Sequence, residues 1–153
     1  DSASLTVTTH QEEISMSRVI IRLFAALPFV ALLAMPAYAA NTAPIYTPEP
    51  IQVPAGKSAE DVKKAVRKAL FDKDWEIREV GPGHLQGKHT KSGGKGKLHV
   101  AVLDVRFDSK SVRIGYKDSQ ELNYDKESGV IHKTYNNWVR NLEKNIRANL
   151  GAY

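Results

Sequence analysis

The chain has 153 residues, 22 Lys+Arg against 17 Asp+Glu for a net charge of +5, 42% hydrophobic residues and no cysteine. Such a chain suits one domain around one core, and it excludes a polytopic membrane protein, a collagen-like repeat and wholesale disorder. The lack of cysteine removes disulfides, a thiol nucleophile, a thiolate zinc site and a lipidated cysteine from consideration.

Residues 1–15 precede Met16 and carry Glu12 and Glu13, which do not suit an export signal, so they read as an upstream extension outside the mature protein. From Met16 the pattern changes. Arg18 and Arg22 supply positive charge, Leu23 to Met35 is apolar apart from Pro28, and Ala37-Tyr38-Ala39 is a small-x-small exit. A basic start, a short apolar centre and small residues at the peptidase cleft make residues 16–39 a secretory signal peptide. Cleavage is expected after Ala39, with delivery to the periplasm. A retained anchor over residues 19–40 is the competing reading, because about twenty apolar residues span a bilayer. Pro36 breaks a helix just before the exit and favours cleavage, so no transmembrane helix is expected to remain. The exported remainder is still basic, at about +6. That excess favours anionic envelope polymers or phospholipid headgroups as partners, or serves solubility alone.

Residues 40–56 contain Pro44, Pro48, Pro50 and Pro54 and read as an extended linker, in which Ile51-Gln52-Val53 is able to add one edge strand. A single domain over residues 57–153 follows. Ser58 and Asp61 have capping-box spacing, and Val62, Ala65, Val66, Ala69 and Leu70 form one apolar stripe, predicting a helix over 59–72. Lys63, Lys64, Arg67 and Lys68 mark its opposite, solvated face. Alternation predicts a strand over 75–80 with Trp75 and Ile77 inward, then strands over 84–90, 97–107 and 111–117. Links as short as Gly81-Pro82-Gly83 and Asp108-Ser109-Lys110 require antiparallel neighbours. Tyr135, Trp138, Val139, Leu142, Ile146 and Leu150 then predict a helix over 132–150, stopped at Gly151. The expected fold class is α+β: a two-layer sandwich in which two helices cover one face of a four-stranded antiparallel meander, in the order α-β-β-β-β-α.

The most chemically suggestive stretch is residues 87–99, where Lys88, His89, Lys91, Lys95, Lys97 and His99 sit on a glycine-loosened hairpin able to offer cations and amides to anions. It lacks P-loop spacing, and a flexible soluble turn explains the same composition. His89 and His99 on neighbouring strands are candidates to face one another, and with Asp104 they define an alternative reading as a small metal-dependent hydrolase. Two imidazoles fall short of an ordinary metal site, so no metal, cofactor or catalytic residue is assigned. Asp104 and Arg106 read as a surface ion pair with Arg113 or Lys117. Tyr135 and Trp138 belong to the core stripe, which leaves Tyr116 and Tyr124, with His132 nearby, as the aromatics available for contact with sugar rings or bases.

With Leu122-Asn123-Tyr124-Asp125, Ile131-His132 and Tyr135-Asn136-Asn137-Trp138 in view, residues 57–150 resemble a group of small exported proteins of Gram-negative bacteria. In these a tyrosine-bearing meander leads to an N-Y-D loop and a terminal helix opening Y-N-x-W. The resemblance implies an envelope location and these domain boundaries, and it carries no activity. Many members of that group are lipid-anchored, whereas no cysteine stands at the signal exit here. The helix-meander-helix order is also similar to helix-grip modules of envelope assembly lipoproteins, a likeness of fold only. The sequence thus reads as a non-enzymatic periplasmic binding module that meets an anionic envelope polymer, lipid headgroups or an envelope protein through the 87–99 hairpin and the 116–132 loop. Nucleic acid ranks below these, because export makes an encounter rare.

Overall fold

The computed structural model describes residues 41–153, so the signal peptide and the upstream extension expected from the sequence lie outside the described residues. The described residues form an α+β fold with two helices, a five-stranded antiparallel sheet and a separate two-stranded sheet. The elements are β1 (Thr42–Pro44), β2 (Ile51–Gln52), α1 (Ala59–Asp72), β3 (Glu76–Gly81), β4 (His84–Ser92), β5 (Leu98–Phe107), β6 (Ser111–Gln120), β7 (Val130–His132) and α2 (Lys133–Leu150). No helix among them is long and apolar enough to cross a membrane.

Helix α1 begins as its sequence requires. The Ser58 hydroxyl accepts from the Asp61 amide, and the Asp61 carboxylate accepts from the Ser58 amide at 3.0 Å. Val62, Val66, Ala69 and Leu70 are buried along its stripe. Helix α2 buries Tyr135, Val139, Leu142, Ile146 and Leu150, and stops where Gly151 turns left-handed at φ 70° while the amides of Gly151 and Ala152 return to the last-turn carbonyls.

The four long strands lie side by side in chain order, but the sheet has a fifth member. Its order is β2-β6-β5-β4-β3, with Ile51 opposite Val112 at one edge. Ala101, Leu103 and Val105 of β5 share a face with Leu85, Gly87 and His89 of β4 and with Val112 and Ile114 of β6. Both helices pack on this face: Leu70 and Trp75 approach Gly87, and Trp138 of α2 contacts His89. The core therefore sits between one sheet face and two helical stripes, while no helix among the described residues covers the other sheet face.

Two features depart from the meander expected from the sequence. The first is that the proline-rich stretch does more than link. It is extended, and β1 pairs with β7 through Thr42 opposite His132 and Pro44 opposite Val130. The buried Asn136 of α2 holds it, its amide oxygen accepting from the Tyr46 N–H at 2.8 Å and its NH₂ donating to the Pro44 carbonyl at 2.9 Å. Tyr46 lies beneath the Arg140 guanidinium and donates its hydroxyl proton to Glu143 at 2.6 Å. The second is an extra residue in β6. Tyr116 faces Leu103 and Asp118 faces Val102, so Lys117 is a β-bulge, and the strand runs on to Gln120 rather than stopping at 117.

Candidate functional site

The bulge builds the site. By inserting one residue it turns Ser119 to the same side as Tyr116, whose hydroxyl lies 3.0 Å from the Ser119 Oγ. The chain leaves β6 through Glu121 and Asn123, both in the left-handed region at φ 55° and 50°. Buried Leu122 between them anchors the loop, and its carbonyl accepts from the His132 amide at 2.8 Å. The Asp125 carboxylate accepts the Glu127 amide at 2.9 Å and closes the turn beyond. Tyr124 is thereby laid against Tyr116 with ring centroids 4.4 Å apart, and Tyr116 meets the buried Tyr135 edge-on at 5.8 Å.

These residues line a cleft of about 560 Å³, walled by Lys97, Tyr116, Asp118, Ser119, Glu121, Leu122, Asn123 and Tyr124. Its size falls in the range of small-ligand sites, roughly 300–1,000 Å³. Its chemistry is mixed. Lys97 meets the Glu121 carboxylate at 2.6 Å, and Asp118 adds a second acid, so this is no pure anion trap. Burial raises the pKa of the Tyr116 phenol above its ordinary value, which keeps its O–H a donor at neutral pH. The cleft thus offers a tyrosine platform, hydroxyls, an amide, two carboxylates and one ammonium.

The other sequence-derived candidates are dispersed. Lys88 lies 3.8 Å from Glu76 and Lys91 lies 3.7 Å from Asp74, while Lys95 is exposed on a short 3₁₀ turn at φ 59°. The hairpin lysines, other than Lys95, therefore have carboxylates beside them, and no dense block of unpaired cation forms there. Lys63 and Arg67 on α1 likewise meet Glu79, at 2.6 and 3.7 Å. His89 is turned inward rather than presented on the hairpin surface. It is 4% exposed, packed between Trp75 and Trp138, and its Nδ1–H donates to the Asp74 carbonyl at 3.1 Å.

His89 and His99 do not face each other in register: His89 pairs with Ala101, and His99 pairs with Lys91. His99 instead lies 5.5 Å, ring to ring, from His132. Asp104 points from the opposite sheet face, where its Oδ1 is bonded by His84 Nε2 at 2.6 Å and Gln86 Nε2 at 3.0 Å. The three residues of the hydrolase alternative therefore do not converge, and the ion-pair partner expected for Asp104, Arg113 or Lys117, is replaced by His84. Among the described residues no three His, Asp or Glu side chains gather as metal ligands.

His132 caps α2, its Nδ1 accepting from the Thr134 amide at 3.2 Å. Burial lowers its pKa, as does the neighbouring His99 charge, and burial likewise lowers that of His89. The unfolded chain binds these protons from about pH 6.5 downward, before the folded protein does, so stability is complete above that pH and falls as pH drops below it. The thermal unfolding midpoint is expected to be level from pH 8 to 7 and to decline toward pH 5. His132→Asn, which keeps a capping acceptor, is expected to shallow the decline. A midpoint unchanged across this interval would contradict the neutral, buried imidazoles.

No protein-family model matches the chain, and no curated protein matches it.

Proposed function

We propose that the chain is an exported, non-enzymatic accessory module of the cell envelope that binds a polar envelope polymer in the Tyr116–Tyr124 cleft. One observation carries the reading: a bulge, two left-handed residues and a buried leucine act together to set two tyrosines and several hydrogen-bonding groups around one hollow. The basic start and Ala37-Tyr38-Ala39 exit of the leader support export. Stacked aromatic faces beside hydroxyl, amide and carboxylate groups suit a ligand rich in hydroxyls and amides. Lys97 is the cation within reach of an acidic group on such a ligand. A glycan strand bearing peptide stems has this chemistry, which supports a partner at the cleft rather than at the hairpin tip.

Cosedimentation with purified insoluble peptidoglycan tests the reading. The protein is expected to pellet with the polymer, and Tyr124→Ala to weaken binding about tenfold, equivalent to about 1.4 kcal/mol of lost aromatic contact. Lys95→Gln is expected to leave it unchanged. Binding indifferent to Tyr124→Ala, or lost equally in Lys95→Gln, would overturn the assignment of the cleft.

A further inference from the structure

We propose that the face of the five-stranded sheet opposite to α1 and α2 docks on an anionic phospholipid surface through Arg106, Arg113 and Arg78, with Leu98 entering the headgroup layer. The envelope location comes from the reading above; the surface itself stands on strand register and burial. Even-numbered residues of β4 and β5 point to this face, opposite to the helices. Arg106 and Arg113 are direct cross-strand partners, both exposed. Like charges directly opposite one another destabilise a sheet, so this pair calls for an anion from outside. Neither arginine, nor Arg78 on β3, forms an ion pair among the described residues, and Arg113 acts on Asp108 only as a more distant charge. Most other basic side chains near the strands are matched: Lys63 and Arg67 by Glu79, Lys88 by Glu76, Lys91 by Asp74 and Lys97 by Glu121.

Acids are present on the face as well. Glu76 is turned to Lys88, Asp118 stands at the bulge, and Asp104 is held by His84 and Gln86. Exposed Lys117 at the bulge adds a further cation near Asp104. Gly115, opposite Asp104, leaves β6 without a side chain at that point of the face.

The aliphatic residues distinguish a bilayer from a soluble polyanion. Leu98 is 52% exposed, and Val100 and Val102 are half-buried on the same face of the same strand as Arg106. A dissolved polyanion needs only the guanidinium groups. At a bilayer, guanidinium groups bind headgroup phosphates while neighbouring aliphatic side chains enter the acyl boundary.

The test uses the chain from Ala40, which contains every buried core residue among the described residues, from Ile51 to Leu150. Its binding is measured on vesicles of phosphatidylglycerol and phosphatidylethanolamine, on neutral phosphatidylcholine vesicles and on heparin. Binding to the anionic vesicles is expected to exceed that to neutral ones and to fall with salt. The double variant Arg106→Gln/Arg113→Gln is expected to bind about thirtyfold more weakly, and Leu98→Ser to bind measurably more weakly. Arg106→Lys/Arg113→Lys, which keeps the charge, is expected to retain most binding. Absence of vesicle binding, equal loss in Lys95→Gln, or heparin binding that exceeds vesicle binding and ignores Leu98→Ser would overturn the proposal. Tyr124→Ala is expected to leave vesicle binding intact, so failure at this face and failure at the cleft are told apart.

Discussion

Replacing Asn136 by alanine is expected to cost about 3 kcal/mol and to release the chain's first described strand before the main sheet yields. Asn136 is 3% exposed, and its two amide bonds are the side-chain link between α2 and the backbone of Pro44 and Tyr46. Truncation leaves an N–H and a C=O in a partly buried place without their partner, at about 1–3 kcal/mol for each group left unsatisfied. Asn136→Asp separates geometry from volume, because a carboxylate still accepts from the Tyr46 amide but repels the Pro44 carbonyl. Hydrogen exchange reports the outcome directly. Protection at residues 42–46 and 130–132 is expected to fall in both variants while β4 and β5 remain protected. Uniform loss across the sheet would show that residues 42–46 are integral to the core rather than stapled onto it.

The second large effect is expected at Gly87. A Cβ there would lie 2.8 Å from Leu70 Cδ2 and 3.2 Å from the Trp75 ring. The tip of Leu70 is able to swing aside for one methyl group, so Gly87→Ala is expected to be mild. Gly87→Val adds branched bulk against the indole and is expected to cost about 3 kcal/mol through overpacking. Combining Gly87→Val with Leu70→Ala makes room on one side, so the double variant is expected to be less destabilised than the sum of its parts. Urea unfolding midpoints of the four proteins measure this. Strict additivity would contradict the close contact of Leu70 with Gly87.

The helices were legible because their signals are local. A capping box and an apolar stripe define α1, and a stripe followed by glycine defines α2. Alternation in β5 and the short links likewise gave the antiparallel neighbours. The β1–β7 pair was hidden because its strands are three residues long, cross a separation of about ninety residues and include a proline. No periodic pattern survives at that length.

The site was half legible for related reasons. Tyr116 and Tyr124 stood out as aromatics without a helical stripe to join, and both line the cleft. Asp118, Ser119, Glu121, Leu122 and Asn123 did not, because an unannounced bulge at Lys117 decides which side Ser119 takes. Asn123 alone carried a signal, since asparagine tolerates the left-handed backbone that it adopts. The misplacement of His89 has a different cause. In β4 the inward positions are Leu85, Gly87 and His89, so its apolar alternation is broken where Trp75 and Trp138 supply the missing bulk from neighbouring elements. A histidine among lysines looks like a ligand until its neighbours in space are known.

Hydrogen exchange of the chain from Ala40 onward, with and without soluble peptidoglycan fragments, tests the central claim most directly. Binding at the cleft predicts slowed exchange confined to residues 97 and 116–124, abolished by Tyr124→Ala. Slowed exchange confined to the 87–95 hairpin, or no change at saturating fragment, would contradict it.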